Sequence, residues 1–235
     1  MSTKNVFILI IFNSILFTFS CQSDQASKNS SAADDYIPNI YSRYLVLEKE
    51  FKIEVTFTNK KNNKLKNQAV AGDLFFRGQR LKQIETPYGG VQYMIQIPQS
   101  AYTELKIIEW KQGSKILGKF ESKLSPIESF DIKDKKIVIN EGFRLTWVGP
   151  PLAKTEFLAI NINPERGDQL KMNRLGPTDQ SYCSVVPQQL TKLKPGTAQV
   201  SIIKNKRSHV KNEDGALQYL FFDEFYMYDQ QYSLE

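Results

Sequence analysis

Histidine and cysteine are nearly missing from this 235-residue chain: His209 is the single histidine, and Cys21 and Cys183 are the two cysteines. That leaves no material for a His/Cys zinc site, for haem ligation or for a disulfide scaffold. Glycine and proline are modest at 12 and 10 residues, and 41% of the chain is hydrophobic against 24% charged, which excludes collagen-like, low-complexity and wholly disordered classes. No apolar run reaches the ~20 residues that cross a bilayer; the longest stretch, residues 6–19, is interrupted by Asn13 and Ser14. Paired carboxylates are scarce too. Asp223 and Glu224 are sequence neighbours, and neighbours on a strand point to opposite faces, so they do not converge on one bond as glycoside chemistry requires. Glu128, Asp131 and Asp134 match no calcium-loop spacing and are interleaved with lysines. Gly89 and Gly90 lack the Lys-Ser/Thr that completes a phosphate cradle. The sequence therefore predicts no catalytic residue, no metal and no cofactor, and a protein that is not an enzyme.

What is present begins at the N-terminus. One early cation, Lys4, precedes two apolar runs and then Ser20-Cys21, the shape of a secretory signal peptide. A small residue directly before a cysteine at the end of an apolar run resembles the bacterial lipoprotein signal, in the relaxed form familiar in Bacteroidota. Thr18 departs from it, standing where such signals usually carry Leu. The resemblance implies removal of residues 1–20, fatty acylation of Cys21 and attachment to the outer membrane, with its periplasmic and outer faces both open. Each buried methylene adds ~0.8 kcal/mol, so more than one acyl chain anchors stably. The alternative is an ordinary secretory leader that leaves Cys21 as a thiol. If Cys21 is acylated, Cys183 has no disulfide partner in the chain and reads as a small apolar filler in a strand. Residues 21–40, rich in Ser, Ala, Asp and Asn, read as the lipidated cysteine and a flexible tether.

From Tyr44 onward the hydrophobic period is two. Phe51, Ile53, Val55 and Phe57 alternate with Lys52, Glu54, Thr56 and Thr58, a strand with one buried and one wet face. Further strands are expected at 73–76, 91–97, 104–110, 115–122, 136–139, 156–163, 182–186, 198–204 and 217–228, with turn residues between them. Short strands without a helical period indicate an all-β protein of antiparallel sandwiches. Domains usually run to roughly 100 to 150 residues, so two tandem immunoglobulin-like sandwiches are expected, residues 41–140 and 141–235. Trp110 and Trp147 are each placed in a core.

The second of these carries a recognisable pattern. Phe143-Arg144-Leu145-Thr146-Trp147-Val148-Gly149-Pro150-Pro151 resembles the second strand of a fibronectin type III domain, and Leu190-Thr191-Lys192-Leu193-Lys194-Pro195-Gly196-Thr197 resembles that family's turn into its sixth strand. Ala198 departs from the family, which usually has a Tyr there. The resemblance implies a sandwich that acts through its edges and loops.

Candidate contact residues come from two places. Residues 204–211, with Lys206, Arg207, His209 and Lys211, are the densest cationic stretch and read as part of a loop continuing to Gly215, placed between the last two strands and free to vary without cost to the core. The final strand is apolar on both parities, with Tyr219, Phe221, Phe225 and Met227 on one and Leu220, Phe222, Tyr226 and Tyr228 on the other. It predicts a strand packed on both sides or an exposed aromatic strip, with Tyr226 and Tyr228 as contact residues. The formal charge of +6 is spread over many lysines, so no nucleic-acid partner is expected. The functional expectation is a lipid-anchored, non-enzymatic binding or structural module of the cell envelope, attached to the membrane through Cys21, with a protein or polysaccharide as its partner. The alternative is an accessory subunit of a secretion, gliding or polysaccharide-handling complex.

Overall fold

The structure is a computed structural model that describes residues 35–61, 67–211, 213 and 217–235. The expected signal peptide, Cys21 and most of the expected tether lie outside the described residues. All-β architecture is observed: the regular elements are sixteen strands and short 3-10 turns in three sheets.

The largest sheet has nine strands and runs through the whole molecule. Its strands are β1 (Tyr36–Leu45), β2 (Glu50–Asn59), β5 (Lys82–Glu85), β6 (Val91–Pro98), β10 (Lys136–Ile137), β12 (Glu156–Pro164), β13 (Leu170–Leu175), β15 (Gly196–Lys211) and β16 (Leu217–Leu234). They run in the order β13-β12-β15-β16-β1-β2-β6-β5, with β10 also on β16. A four-stranded sheet comprises β3 (Asp73–Phe76), β4 (Gln79–Arg80), β7 (Leu105–Gln112) and β8 (Lys115–Lys123), and a three-stranded sheet β9 (Ser129–Ile132), β11 (Phe143–Val148) and β14 (Tyr182–Val185).

Both smaller sheets pack on the same face of the long one. Along β15, Ala198, Val200, Ile202 and Lys204 are all buried at alternate positions, so they mark one face. Lys204 is paired in register with Phe225 and Ala198 with Tyr232. Phe225 stacks on Tyr44 at 4.5 Å, in the half covered by the four-stranded sheet, where Phe57 meets Trp110 and Phe51 meets Phe76 at 4.9 and 5.6 Å. Tyr232 lies in the half covered by the three-stranded sheet, where the Gln230 amide donates to the Phe130 carbonyl at 3.0 Å. Each tryptophan is buried beneath one of the smaller sheets, within a single cluster of buried apolar side chains. The Trp110 indole N–H donates to Ala71 O at 2.7 Å and that of Trp147 to Pro150 O at 3.0 Å. Large buried side chains of this kind contribute ~1.5 to 3 kcal/mol apiece.

Two sequence readings change. The tether was expected to reach residue 40, but β1 begins at Tyr36 and pairs in parallel with β16, Asn39 beside Leu220. Its inward positions include Pro38 and Ser42, a ring without an N–H and a hydroxyl, which hide the period of two. Residues 204–211 are the end of β15 and not loop, because Lys204 faces inward beside Glu156 and breaks the apolar alternation. Before Asn140, β9 and β10 pair with β11 and β16, which follow it. The turn between β10 and β11 uses Gly142 at φ +81°, where a Cβ would lie 2.2 Å from Val185 O.

Candidate binding face

The opposite face of the nine-stranded sheet has no described strand over it, and its outward side chains form two aromatic–arginine clusters. On β1 and β16 the Arg43 guanidinium lies 4.7 Å from the Tyr41 ring and 5.6 Å from the Tyr226 ring. Glu224 sits between them: the Tyr41 and Tyr226 hydroxyls both donate to Oε2, the latter at 2.8 Å, and Arg43 Nε approaches it to 3.9 Å. Burial, then the hydrogen bond to Glu224, push both phenols above their usual range. They stay protonated donors. On β12, β15 and β16 the Arg207 guanidinium lies 5.2 Å from Phe157 and 5.8 Å from Phe222. Cation–π contacts of this kind contribute ~0.5 to 1 kcal/mol at exposed sites, and they hold both guanidinium planes in place.

The residues singled out from the sequence divide by parity. Arg207 and His209 pair in register with Phe222 and Leu220, on the same outward face as Tyr226 and Tyr228, and Tyr228 is 44% exposed. Lys206 faces the other way and donates to Lys123 O at 2.8 Å. Lys211 is exposed at the end of β15, past a register shift at Val210. Cys21 lies outside the described residues. Sequence reasoning missed Tyr41, Arg43 and Phe157. Phe157 is legible as an outward residue of a strand otherwise alternating Leu158, Ile160, Ile162, but Tyr41 and Arg43 depend on a long-range parallel pairing.

The interior holds polar groups with a structural use. Lys106 on β7 and Asp223 on β16 are 0% and 1% exposed, with Nζ 3.0 Å from Oδ2. Ser42 and Ser122 also donate to Asp223, and Lys106 donates to Tyr102 Oη and Glu104 O. Burial pulls the Lys106 ammonium below its usual range, opposed by Asp223. As the parity argument requires, Asp223 points inward and Glu224 outward. Lys204 Nζ lies 3.1 Å from Glu156 Oε2, as an ion pair without hydrogen-bond geometry, while Oε2 accepts from Ala153 N at 2.9 Å. Cys183 is buried, and burial raises its thiol from 9.0 to about 11, which makes it a poor nucleophile. Among the described residues no group of three His, Cys, Asp or Glu side chains is placed to hold a metal.

No family model and no curated protein matches the sequence. Solved structures with a similar strand arrangement include a cytokine receptor complex, 13% identical, covering 77% of this chain and 90% of that one with a TM-score of 0.33. A tetra-tandem repeat from the extending region of a large adhesion protein is 8% identical over 85% of this chain, with a TM-score of 0.30, and the match spans about half of that chain, 49%. Domains 6–7 of the surface-layer protein SbsC are 12% identical, covering 82% and 98% of the two chains with a TM-score of 0.26. These scores are low, and the functional reading rests on the chain's own geometry.

Proposed function

We propose that this protein is a lipid-anchored module of the bacterial envelope that binds a protein or glycan partner and performs no catalysis. The observation that carries the reading is the open face of the nine-stranded sheet, where Tyr41, Arg43, Glu224 and Tyr226, and then Phe157, Arg207 and Phe222, stand in pre-arranged clusters. Aromatic and arginine side chains already fixed by their neighbours lose little entropy on binding, and they dominate interface energetics. The buried charged groups, Lys106 with Asp223 and Lys204 with Glu156, are paired with one another and turned away from this face, so they serve the fold. The fibronectin-like order of strands around Trp147 fits a sandwich that acts by contact.

The anchor is the resemblance at Ser20-Cys21. Cys21→Ala is expected to abolish acyl labelling and to release the protein from membrane pellets. A mutant that still sediments after a high-salt wash refutes the anchor. For the binding face, Tyr41→Ala combined with Tyr226→Ala should reduce retention of the mature chain on isolated envelopes; unchanged retention removes that cluster from the contact.

A further inference from the structure

The charge on the open face is not evenly distributed. On the outward side of β12, β13 and β15 stand Lys171, opposite Asn161, and Arg207, opposite Phe222, with Lys211 exposed at the end of β15. Arg174, Lys204 and Lys206 lie on the other side, and the single carboxylate of these strands is Glu156. That carboxylate is turned inward and engaged by Lys204 and the Ala153 N–H. The acidic residues of the open face, Glu50, Glu54 and Glu224, lie on β2 and β16. The outward side of these strands thus presents Lys171, Arg207 and Lys211 and no outward carboxylate, a pattern invisible while residues 204–211 are read as a loop.

We propose that this half of the face, centred on Arg207, binds an acidic polysaccharide whose sugars carry carboxylates. The proposal rests on the binding-module reading above and names its ligand class. A groove of about 360 Å³ is lined by Lys154, Glu156, Phe157, Asn173, Leu175 and Arg207 among others, the Glu156 carboxylate being held by Lys204. The Arg207 guanidinium lies over the Phe157 and Phe222 rings at 5.2 and 5.8 Å, and its side chain forms no ion pair among the described residues. Its N–H edge is therefore free for the two parallel hydrogen bonds that a carboxylate accepts. Phe157 offers a ring for sugar stacking, and Asn161, Asn173 and Ser201 stand on the outward side as partners for hydroxyls. Between them the outward residues are Ala159 and Ile203, which leaves a shallow polar trough without a deep apolar pocket for a peptide's anchoring side chain.

The test uses the mature chain with Cys21→Ser, so that no acyl chain contributes, and titrates it calorimetrically with polygalacturonate, with neutral dextran and with polyglutamate. Binding to polygalacturonate that weakens as salt is raised, with none to dextran, is expected. Arg207→Gln and Lys171→Gln should each weaken it about tenfold, the worth of one charged hydrogen bond, at unchanged thermal midpoint. Lys82→Gln, on the far edge strand β5, should leave it unchanged. Equal binding of polyglutamate overturns the saccharide assignment, and so does insensitivity to Arg207→Gln. Absence of polygalacturonate binding overturns the proposal. In that event, envelope retention that still depends on Tyr41 and Tyr226 leaves the binding-face reading standing, whereas its loss from both tests removes that reading as well.

Discussion

Asp223 shows how much one residue decides. It receives Ser42, Ser122 and Lys106 in a space closed to water, and it joins β16 to strands of the opposing sheet. Asp223→Ala would leave the Lys106 ammonium buried without its counter-charge, so it should cost roughly 3 to 5 kcal/mol in chemical denaturation, and Lys106→Met with Asp223→Leu should recover most of the loss. A single mutant as stable as the parent would show that water reaches the pair. The sequence supplies half of this picture: strand alternation alone separates Asp223 from Glu224. Its partner lies 117 positions away, and nothing local in residues 104–106 marks Lys106 as an inward lysine. The same holds for Lys204, where a charged side chain at an inward position made a strand look like a loop.

At the scale of elements, strands with an apolar stripe at period two were the legible ones. β2, β3, β6, β7, β8, β12 and β14 lie within about two residues of their expected bounds, because Phe51, Leu74, Ile108 or Ile160 at period two marks the strand, even where Lys106 or Glu156 takes an inward position. β13 was missed because it is an exposed edge strand with no buried stripe to read. The element that organises the three-stranded side of the core is β11. Trp147 on it is 5% exposed, between β9 and β14. Trp147→Ala should therefore cost roughly 3 to 5 kcal/mol, read as a lowered denaturation midpoint; an unchanged midpoint would place the indole outside the core. The candidate face was legible only in part. Arg207, Tyr226 and Tyr228 follow from strand parity and composition, while Tyr41 and Arg43 required β1 to be recognised and paired in parallel with the last strand, a contact across more than 180 residues.

At the scale of the whole molecule, β15 and β16 run beneath both smaller sheets. The first half of β16 packs Tyr219, Phe221 and Phe225 on the side of the four-stranded sheet, and its last residues pack Tyr232 and Leu234 on the side of the three-stranded sheet. Neither half of the single core keeps its full set of strands if the ribbon is lost, so the two should unfold together. Single-tryptophan variants, Trp110→Phe and Trp147→Phe, should then give superimposable urea transitions when each is compared with circular dichroism of the same variant; separated transitions would show independent units. The shared sheet also makes the open face one continuous surface, and that surface is the centre of the functional account. Its most direct test is photo-crosslinking in intact cells, with a photoreactive residue placed at Ile203 or Tyr228 on the open face and, as the reference, at Leu47, a 69% exposed turn residue. The account predicts discrete adducts from Ile203 and Tyr228 and none from Leu47; adducts from Leu47 alone, or equally from all three, would contradict it.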